Sequence, residues 1–227
     1  MPKRAGGQAG GRAAAARAIV QCCRRLWEAG LIAGADGNVS VRVGPDQVLM
    51  TPSGCLKCDL TPGDLVEVDL AGAPRRGAKR RSSRQPSSEL DLHLRVYRRR
   101  SDCGAVVHAH PPVATAFAVA GEVVPADVLP ELILYLGAVP LVPYAMTGTP
   151  ALGDAVEPFL ERHVAVLLAN HGAVTWGPDL TTAQIRMESL EHSARILHAA
   201  RALGRATRLT PEQVSALDQR RGTPGDG

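Results

Sequence analysis

Val106-Val107-His108-Ala109-His110 is an apolar run that ends in alternating histidines. Residues i and i+2 of a β-strand point to the same face, so the run predicts a strand from Ala105 to His108 that delivers two imidazoles side by side at its end. That is half of a metal site. Far downstream, Asn170-His171-Gly172 places a third histidine beside a glycine, which permits close backbone approach. Three imidazoles with one position left open match the ligand set of catalytic zinc. On spacing alone, a His-x-His pair is more often a surface pair or satisfied core histidines than a metal site.

Working outward, Pro86-Ser87-Ser88-Glu89 opens a predicted helix running to about Arg99, because serine side chains cap free N–H groups and an acid suits the first turn. Upstream, Val39 to Val43 alternates as a strand, Pro45-Asp46 turns, and Val48 to Met50 resumes. The resulting hairpin delivers Thr51-Pro52-Ser53-Gly54 as a loop. Leu65 to Leu70 alternates as another strand, and the Gly-, Pro-, Arg- and Ser-rich segment from 71 to 85 reads as an exposed connection. An Ala-rich helix is expected from Arg12 to Ala29, stopped by Gly30.

Downstream, helices are expected over Pro111 to Val119, Leu152 to Arg162 and Thr182 to Leu203, with strands at Val139 to Val142 and Ala165 to Leu168. Strands alternating with helices, several of them hairpin-linked, predict a single layered α/β domain with a central mixed/antiparallel sheet flanked by helices. The domain is expected over residues 12–210, between a flexible basic N-terminal tail at 1–11 and a flexible C-terminal tail at 211–227.

With 227 residues and 45% hydrophobic content, the chain can bury one substantial core. Aromatic residues make up only 3%, so that core rests on Ala, Val, Leu and Ile, and no aromatic platform for stacking bases is expected. The net charge of +4 resides mainly in Arg75-Arg76, Lys79-Arg80-Arg81, Arg98-Arg99-Arg100 and the two ends. No nucleic-acid-binding motif accompanies these residues, so they read as a solvated loop, or as a field that steers an anionic substrate. No stretch approaches the ~20 apolar residues of a membrane span, and no secretory signal is evident, so a cytoplasmic protein with no membrane partner is expected. Five cysteines, two of them adjacent at Cys22-Cys23, argue for reduced thiols. The Cys55-x-x-Cys58 spacing lacks a second pair to complete a zinc site.

Three short motifs share a chemistry with the histidines. Gly37-Asn38, Ser53-Gly54 and Ser87-Ser88 offer small donors and accessible N–H groups, the serine pair at a helix N-terminus, and together they can hold a phosphate. Taken singly, each is more often a turn or a cap. Glu89 would set a carboxylate beside that phosphate. His93 reads as a packing or hydrogen-bonding residue, Glu188 and Glu191 as solvated or packing residues of an amphipathic helix, and Trp27 and Trp176 as core or interface residues.

In chain order the motifs are Gly37-Asn38-Val39-Ser40-Val41-Arg42, Thr51-Pro52-Ser53-Gly54, Pro86-Ser87-Ser88-Glu89, Val107-His108-Ala109-His110, Pro143-Tyr144 with Gly148-Thr149, and Asn170-His171-Gly172. In this order, from about Ala13 to Gly204, the sequence resembles the class II aldolase and adducin head family, whose enzymes include fuculose-phosphate aldolases and ribulose-phosphate epimerases. The resemblance implies that His108, His110 and His171 bind Zn2+, with Glu89 closing the coordination shell when substrate is absent and acting as the catalytic carboxylate. It implies that Gly37, Asn38, Ser53, Gly54, Ser87 and Ser88 bind the phosphate of a phosphorylated sugar. It further implies a homotetramer with active sites at subunit interfaces, and cleavage of a ketose 1-phosphate to dihydroxyacetone phosphate and a small aldehyde.

The family's epimerases carry Asp at the position of Glu89, which favours the aldolase side. An epimerase, decarboxylase or dehydratase of the same family, or a non-catalytic adducin-like module, remain as alternatives. One departure concerns the acid that serves the aldehyde oxygen. Ungapped comparison places Leu129 where a family aldolase uses a tyrosine from a neighbouring subunit, and leucine transfers no proton. Glu131, two residues on, is expected to replace it as general acid, the alternative being that it caps the following segment.

Overall fold

Strand alternation gives the histidine-bearing strand two buried faces. In the computed structural model, which describes residues 6–74 and 84–221, with side chains from Gly11 onward, this strand is β4 (Ala105–Ala109). Ala105, Val107 and Ala109 enter one apolar cluster and Val106 enters a second on the opposite face. The other strands are β1 (Asn38–Gly44), β2 (Gln47–Met50), β3 (Val66–Val68), β5 (Leu141–Val142), β6 (Ala165–Leu168) and β7 (Gly172–Gly177). They form one seven-stranded sheet in the order β3-β2-β1-β4-β7-β6-β5. Every pairing is antiparallel except β5 with β6, so the sheet is mixed, as the sequence predicts.

Helices cover both faces. On one side α1 (Gly6–Glu28), α3 (Pro112–Val119), α4 (Pro130–Tyr135) and α6 (Leu180–Ala202) bring Ile19, Leu26, Phe117, Leu132, Met187 and Leu190 onto Ala105, Val107 and Leu167. On the other, α2 (Leu90–Arg99) and α5 (Pro150–Val156) set Leu92, Val96, Leu152 and Val156 against Val106, Val166, Val174 and Trp176. The sheet therefore carries two cores, which is why β4 and β6 read as continuous apolar runs.

Several boundaries differ from expectation. Helix α1 begins at Gly6 and so takes up part of the expected N-terminal tail. Residues 211–221, expected as part of a flexible tail, form α7 (Pro211–Arg221), which lies against α4. A reciprocal cap explains its start: the Gln213 N–H donates to Thr210 Oγ at 3.3 Å and the Thr210 N–H donates to Gln213 Oε1 at 2.9 Å. Strand β7 was not foreseen, and the expected strand at 139–142 shrinks to Leu141–Val142 beyond Pro140, which has no N–H to give to a ladder. The expected helix at 152–162 divides into α5 and a short 3-10 turn at Glu157–Phe159.

The basic residues Arg75-Arg76 and Lys79-Arg80-Arg81 lie outside the described residues. Arg99 and Arg100 are occupied by Glu157 and Asp102 respectively, and Arg98 donates to the Leu70 carbonyl. Trp176 is buried, but Trp27 is half exposed and so is no core residue. All five cysteines are free thiols. No helix among the described residues is long and apolar enough to cross a membrane.

Candidate active site

The three histidines converge at one end of β4. His108 is the last-but-one residue of the strand, opposite Asn38 of β1 and Val174 of β7, and its side chain is fully buried. His110 follows just past the strand end, its N–H held by the Leu31 carbonyl at 3.0 Å. His171 sits in the tight β6–β7 hairpin, where its N–H bonds the Leu168 carbonyl and Asn170 takes φ 56°, a left-handed conformation that asparagine tolerates. Gly172 is required next: a Cβ there would stand 2.6 Å from the Ala109 carbonyl oxygen and 2.6 Å from His110 Cδ2. Gly37 does the same on the β1 side, with φ +68° and a virtual Cβ 2.9 Å from the His108 carbonyl oxygen.

The donor set fits a metal ion. Ring centroids of the three histidines lie 4.7 to 5.0 Å apart, and one nitrogen from each ring falls within 4.8 Å of the others. His108 Nδ1 donates to the Ala173 carbonyl at 2.9 Å, which leaves Nε2 to face His110 Nε2 at 3.1 Å. A second-sphere bond of that kind fixes the tautomer and aims the ligating nitrogen. Glu89, the residue just before α2, completes the cluster with Oε2 3.0 Å from His108 Nε2 and Oε1 3.3 Å from His171 Nε2. The latter contact is close but not aligned as a hydrogen bond, so Oε1 is a buried oxygen with no hydrogen-bond partner. An orphaned carboxylate oxygen beside three inward-facing imidazoles is the arrangement a divalent cation would satisfy.

The charges are tuned by this crowding. Burial alone would raise the Glu89 pKa, but His108, the Asn38 amide and His171 outweigh it and hold the carboxyl well below the usual carboxylate range. Burial alone would lower His108, yet its contact with Glu89 keeps it above its ordinary value. His171 is pushed down to about 4 by burial and by the neighbouring His108, and His110 is lowered for the same reasons. Neutral imidazoles are the form that ligates metal.

A cavity of about 460 Å³ opens beside the cluster, lined by all six residues expected to hold phosphate, namely Gly37, Asn38, Ser53, Gly54, Ser87 and Ser88. Backbone bonds fasten its halves together: Ser87 N–H to the Thr51 carbonyl at 3.2 Å and Ser53 N–H to the Gln85 carbonyl at 3.1 Å. The serines do not cap α2 as expected. The helix begins at Leu90, and Ser87 Oγ instead accepts the Glu89 N–H at 3.3 Å, tying the cradle to the carboxylate.

The cavity also contains residues that sequence reasoning did not assign to it. Lys57 is buried, with Nζ donating to the carbonyls of Ala35 at 2.8 Å and Cys55 at 3.1 Å, and it lines the cavity together with Asp36 and Thr147. No motif or period marks a lone lysine at the start of the short 3-10 turn Lys57–Asp59. Gly148, one of the motif glycines, lines it as well. His93 is buried and hydrogen-bonded, not part of the metal-facing cluster, as expected. Glu191 is buried rather than solvated, because it caps α3 by accepting the N–H groups of Val113 at 3.0 Å and Ala114 at 2.9 Å. Glu131 stands exposed in the first turn of α4 and is not among the residues lining its own chain's cavity.

The chain is similar to several known proteins. The chain is 32% identical over 178 residues to an L-fuculose phosphate aldolase of Methanocaldococcus jannaschii, covering 78% of this chain and 92% of that protein. It is 33% identical over 183 residues to a 3-oxo-tetronate 4-phosphate decarboxylase of Pectobacterium atrosepticum, covering 79% and 81%. Among solved structures, an L-fuculose 1-phosphate aldolase superposes with a TM-score of 0.83 at 31% identity, covering 91% of this chain and 95% of that one. Residues 17–198 match the family described as Class II Aldolase and Adducin N-terminal domain, and the chain belongs to that family.

Proposed function

We propose that this protein is a zinc-dependent lyase that cleaves the C3–C4 bond of a ketose 1-phosphate to dihydroxyacetone phosphate and a small aldehyde, or joins the two in reverse. The observation that carries this reading is the placement of a three-imidazole cluster, a carboxylate with one unpartnered oxygen and a serine- and glycine-lined cradle around one cavity. His108, His110 and His171 would hold the Zn2+, which supplies a Lewis acid for the substrate carbonyl.

The remaining steps belong to side chains. Ser53, Ser87, Ser88 and the N–H groups of Gly37 and Gly54 bind the phosphate, which fixes the register of the reacting bond; Asn38, expected with them, lines the cavity but has its side-chain amide engaged by Glu89 and His93. Glu89, with Oε2 anchored and Oε1 open, takes a proton from C3 of dihydroxyacetone phosphate in the condensation direction and returns one to the same carbon after cleavage. Glu131, exposed on α4, supplies the proton for the aldehyde oxygen from a neighbouring subunit, in a homotetramer whose active sites lie at interfaces.

A second reading is favoured by the decarboxylase relative. Loss of CO2 from a 3-oxo acid phosphate leaves the same enediolate as C3–C4 cleavage, so the two reactions ask the same of Glu89 and the cradle. They differ in the group that leaves. Incubating the metal-loaded protein with dihydroxyacetone phosphate and a panel of small aldehydes, and separately with 3-oxo-tetronate 4-phosphate, separates them by product mass. An aldehyde adduct supports the aldolase; CO2 release without any adduct replaces it with the decarboxylase; neither product refutes both.

A further inference from the structure

A line of polar side chains crosses the core between α2 and the sheet. Glu89 at the start of α2 and His93 and Tyr97 within it follow one another at four-residue steps, and Asn38 and Ser40 at a two-residue step along β1. Four residues of helix rise about 6 Å and two residues of strand about 6.6 Å, so the two rows stay in step. The contacts interleave: Tyr97 OH to Ser40 Oγ at 2.8 Å, Ser40 Oγ to His93 Nδ1 at 2.7 Å, His93 Nε2 to Asn38 Oδ1, and Asn38 Nδ2 to Glu89 Oε2 at 2.8 Å. All five residues are buried.

The carboxylate dictates the direction of every proton in this line. An ionised carboxylate only accepts, so Asn38 must present its NH2 to Glu89 and its carbonyl oxygen to His93. That oxygen requires an N–H on His93 Nε2. His93 is held neutral, because burial, reinforced by His108, drives its pKa down to about 3. A neutral ring has one N–H, so Nδ1 is bare and must accept from the Ser40 hydroxyl. Ser40, having given its proton, accepts from Tyr97.

We infer that Tyr97, Ser40, His93 and Asn38 form a one-way hydrogen-bond chain that anchors Glu89 by Oε2 and leaves Oε1 free for proton transfer. Ser40, His93 and Tyr97 are thus positioning residues for the carboxylate, an inference that rests on the proposed role of Glu89. Bonds aligned in one direction polarise one another, so the chain presents its positive ends toward the carboxylate. The Arg42 guanidinium holds Tyr97 in place from outside the chain, donating to its main-chain carbonyl at 2.7 Å and lying 5.0 Å from its ring centroid. Apolar side chains of similar shape would fill the same space at little cost in stability, so packing alone does not call for this ordering.

The first test needs no substrate. Nitrogen-15 NMR of histidine-labelled, zinc-loaded protein should show His93 with its proton on Nε2, and Ser40→Ala should shift its ring nitrogens toward a tautomer mixture. An Nδ1–H tautomer, or ring shifts untouched by Ser40→Ala, would overturn the chain. The second test reads deuterium uptake from D2O at C3 of dihydroxyacetone phosphate. His93→Phe keeps a ring but removes both bonds, and should lower the exchange kcat by roughly 10- to 100-fold, with KM little changed and zinc content intact. His93→Gln, which can both donate and accept, should recover part of the rate. Wild-type exchange in folded, zinc-loaded His93→Phe contradicts the positioning role; should that variant not fold, Ser40→Ala and Tyr97→Phe at wild-type rates contradict it equally. Absence of exchange in the wild type overturns the lyase reading and the positioning role with it, while the NMR result still decides the direction of the chain.

Discussion

The two faces of the central sheet are both buried but are built from different material. Toward α1, α3 and α6 the strands present Val39, Val107, Ala109, Leu167 and Ala173, and the helices answer with Ile19, Leu26, Phe117, Met187 and Leu190. Toward α2 the same strands present Asn38, Ser40 and His108 among Val106, Val174 and Trp176, and the helix answers with Glu89, His93 and Tyr97. The separation comes from the two-residue period of a strand, which sends Val107 and His108 to opposite sides of one sheet. It teaches that this domain confines its chemistry to one of its two cores, so that the other can be perturbed without directly removing the site's contacts.

Removing ligands on the polar face should produce the largest effect. The double variant His108→Ala, His171→Ala should lose bound zinc and activity together; wild-type metal content by elemental analysis would end the assignment. On the apolar face, Leu167→Ala should cost ~2–5 kcal/mol of stability, read by denaturant unfolding, while KM stays as in wild type. A large KM change there would show that the faces are not independent. In the cradle, Ser87→Ala with Ser88→Ala should raise KM for phosphorylated substrates, by roughly tenfold for ~1.4 kcal/mol of lost binding, with zinc retained. An unchanged KM removes the serines from the phosphate site. The smallest effect concerns Glu131→Gln, which should lower turnover with KM and zinc content little changed; wild-type turnover means that water or another residue protonates the aldehyde oxygen.

What the sequence makes legible is what obeys a local rule. The β4 run and its His-x-His ending follow strand periodicity, α2 follows the Pro86-Ser87-Ser88-Glu89 start although the serines do not cap it, and the cradle motifs are small residues at turns. Strand β7 escapes because its four inner residues Ala173-Val174-Thr175-Trp176 lie between glycines that read as turns. Those β-branched and aromatic residues were the available signal. Helix α7 escapes among polar residues, although Thr210-x-x-Gln213 is a capping box visible in the sequence.

Lys57 and Glu191 are of another kind. Each is buried by partners distant in sequence, the Ala35 carbonyl for one and the N-terminus of α3 for the other, and no window of sequence contains both halves of such a contact. The same holds for the direction of the Tyr97-to-Glu89 chain. It depends on which oxygen of one carboxylate meets which atom of one amide.

Both the aldolase and the decarboxylase reading pass through proton exchange at C3 of dihydroxyacetone phosphate, which makes that exchange the most direct measurement of the central claim. Zinc-loaded protein incubated in D2O with dihydroxyacetone phosphate and no aldehyde should incorporate one deuterium at C3, on one face only. Glu89→Gln should slow that incorporation by roughly 10²-fold or more while retaining the metal. Random labelling at the background rate, or unchanged labelling by Glu89→Gln, would contradict an account in which this carboxylate moves the proton.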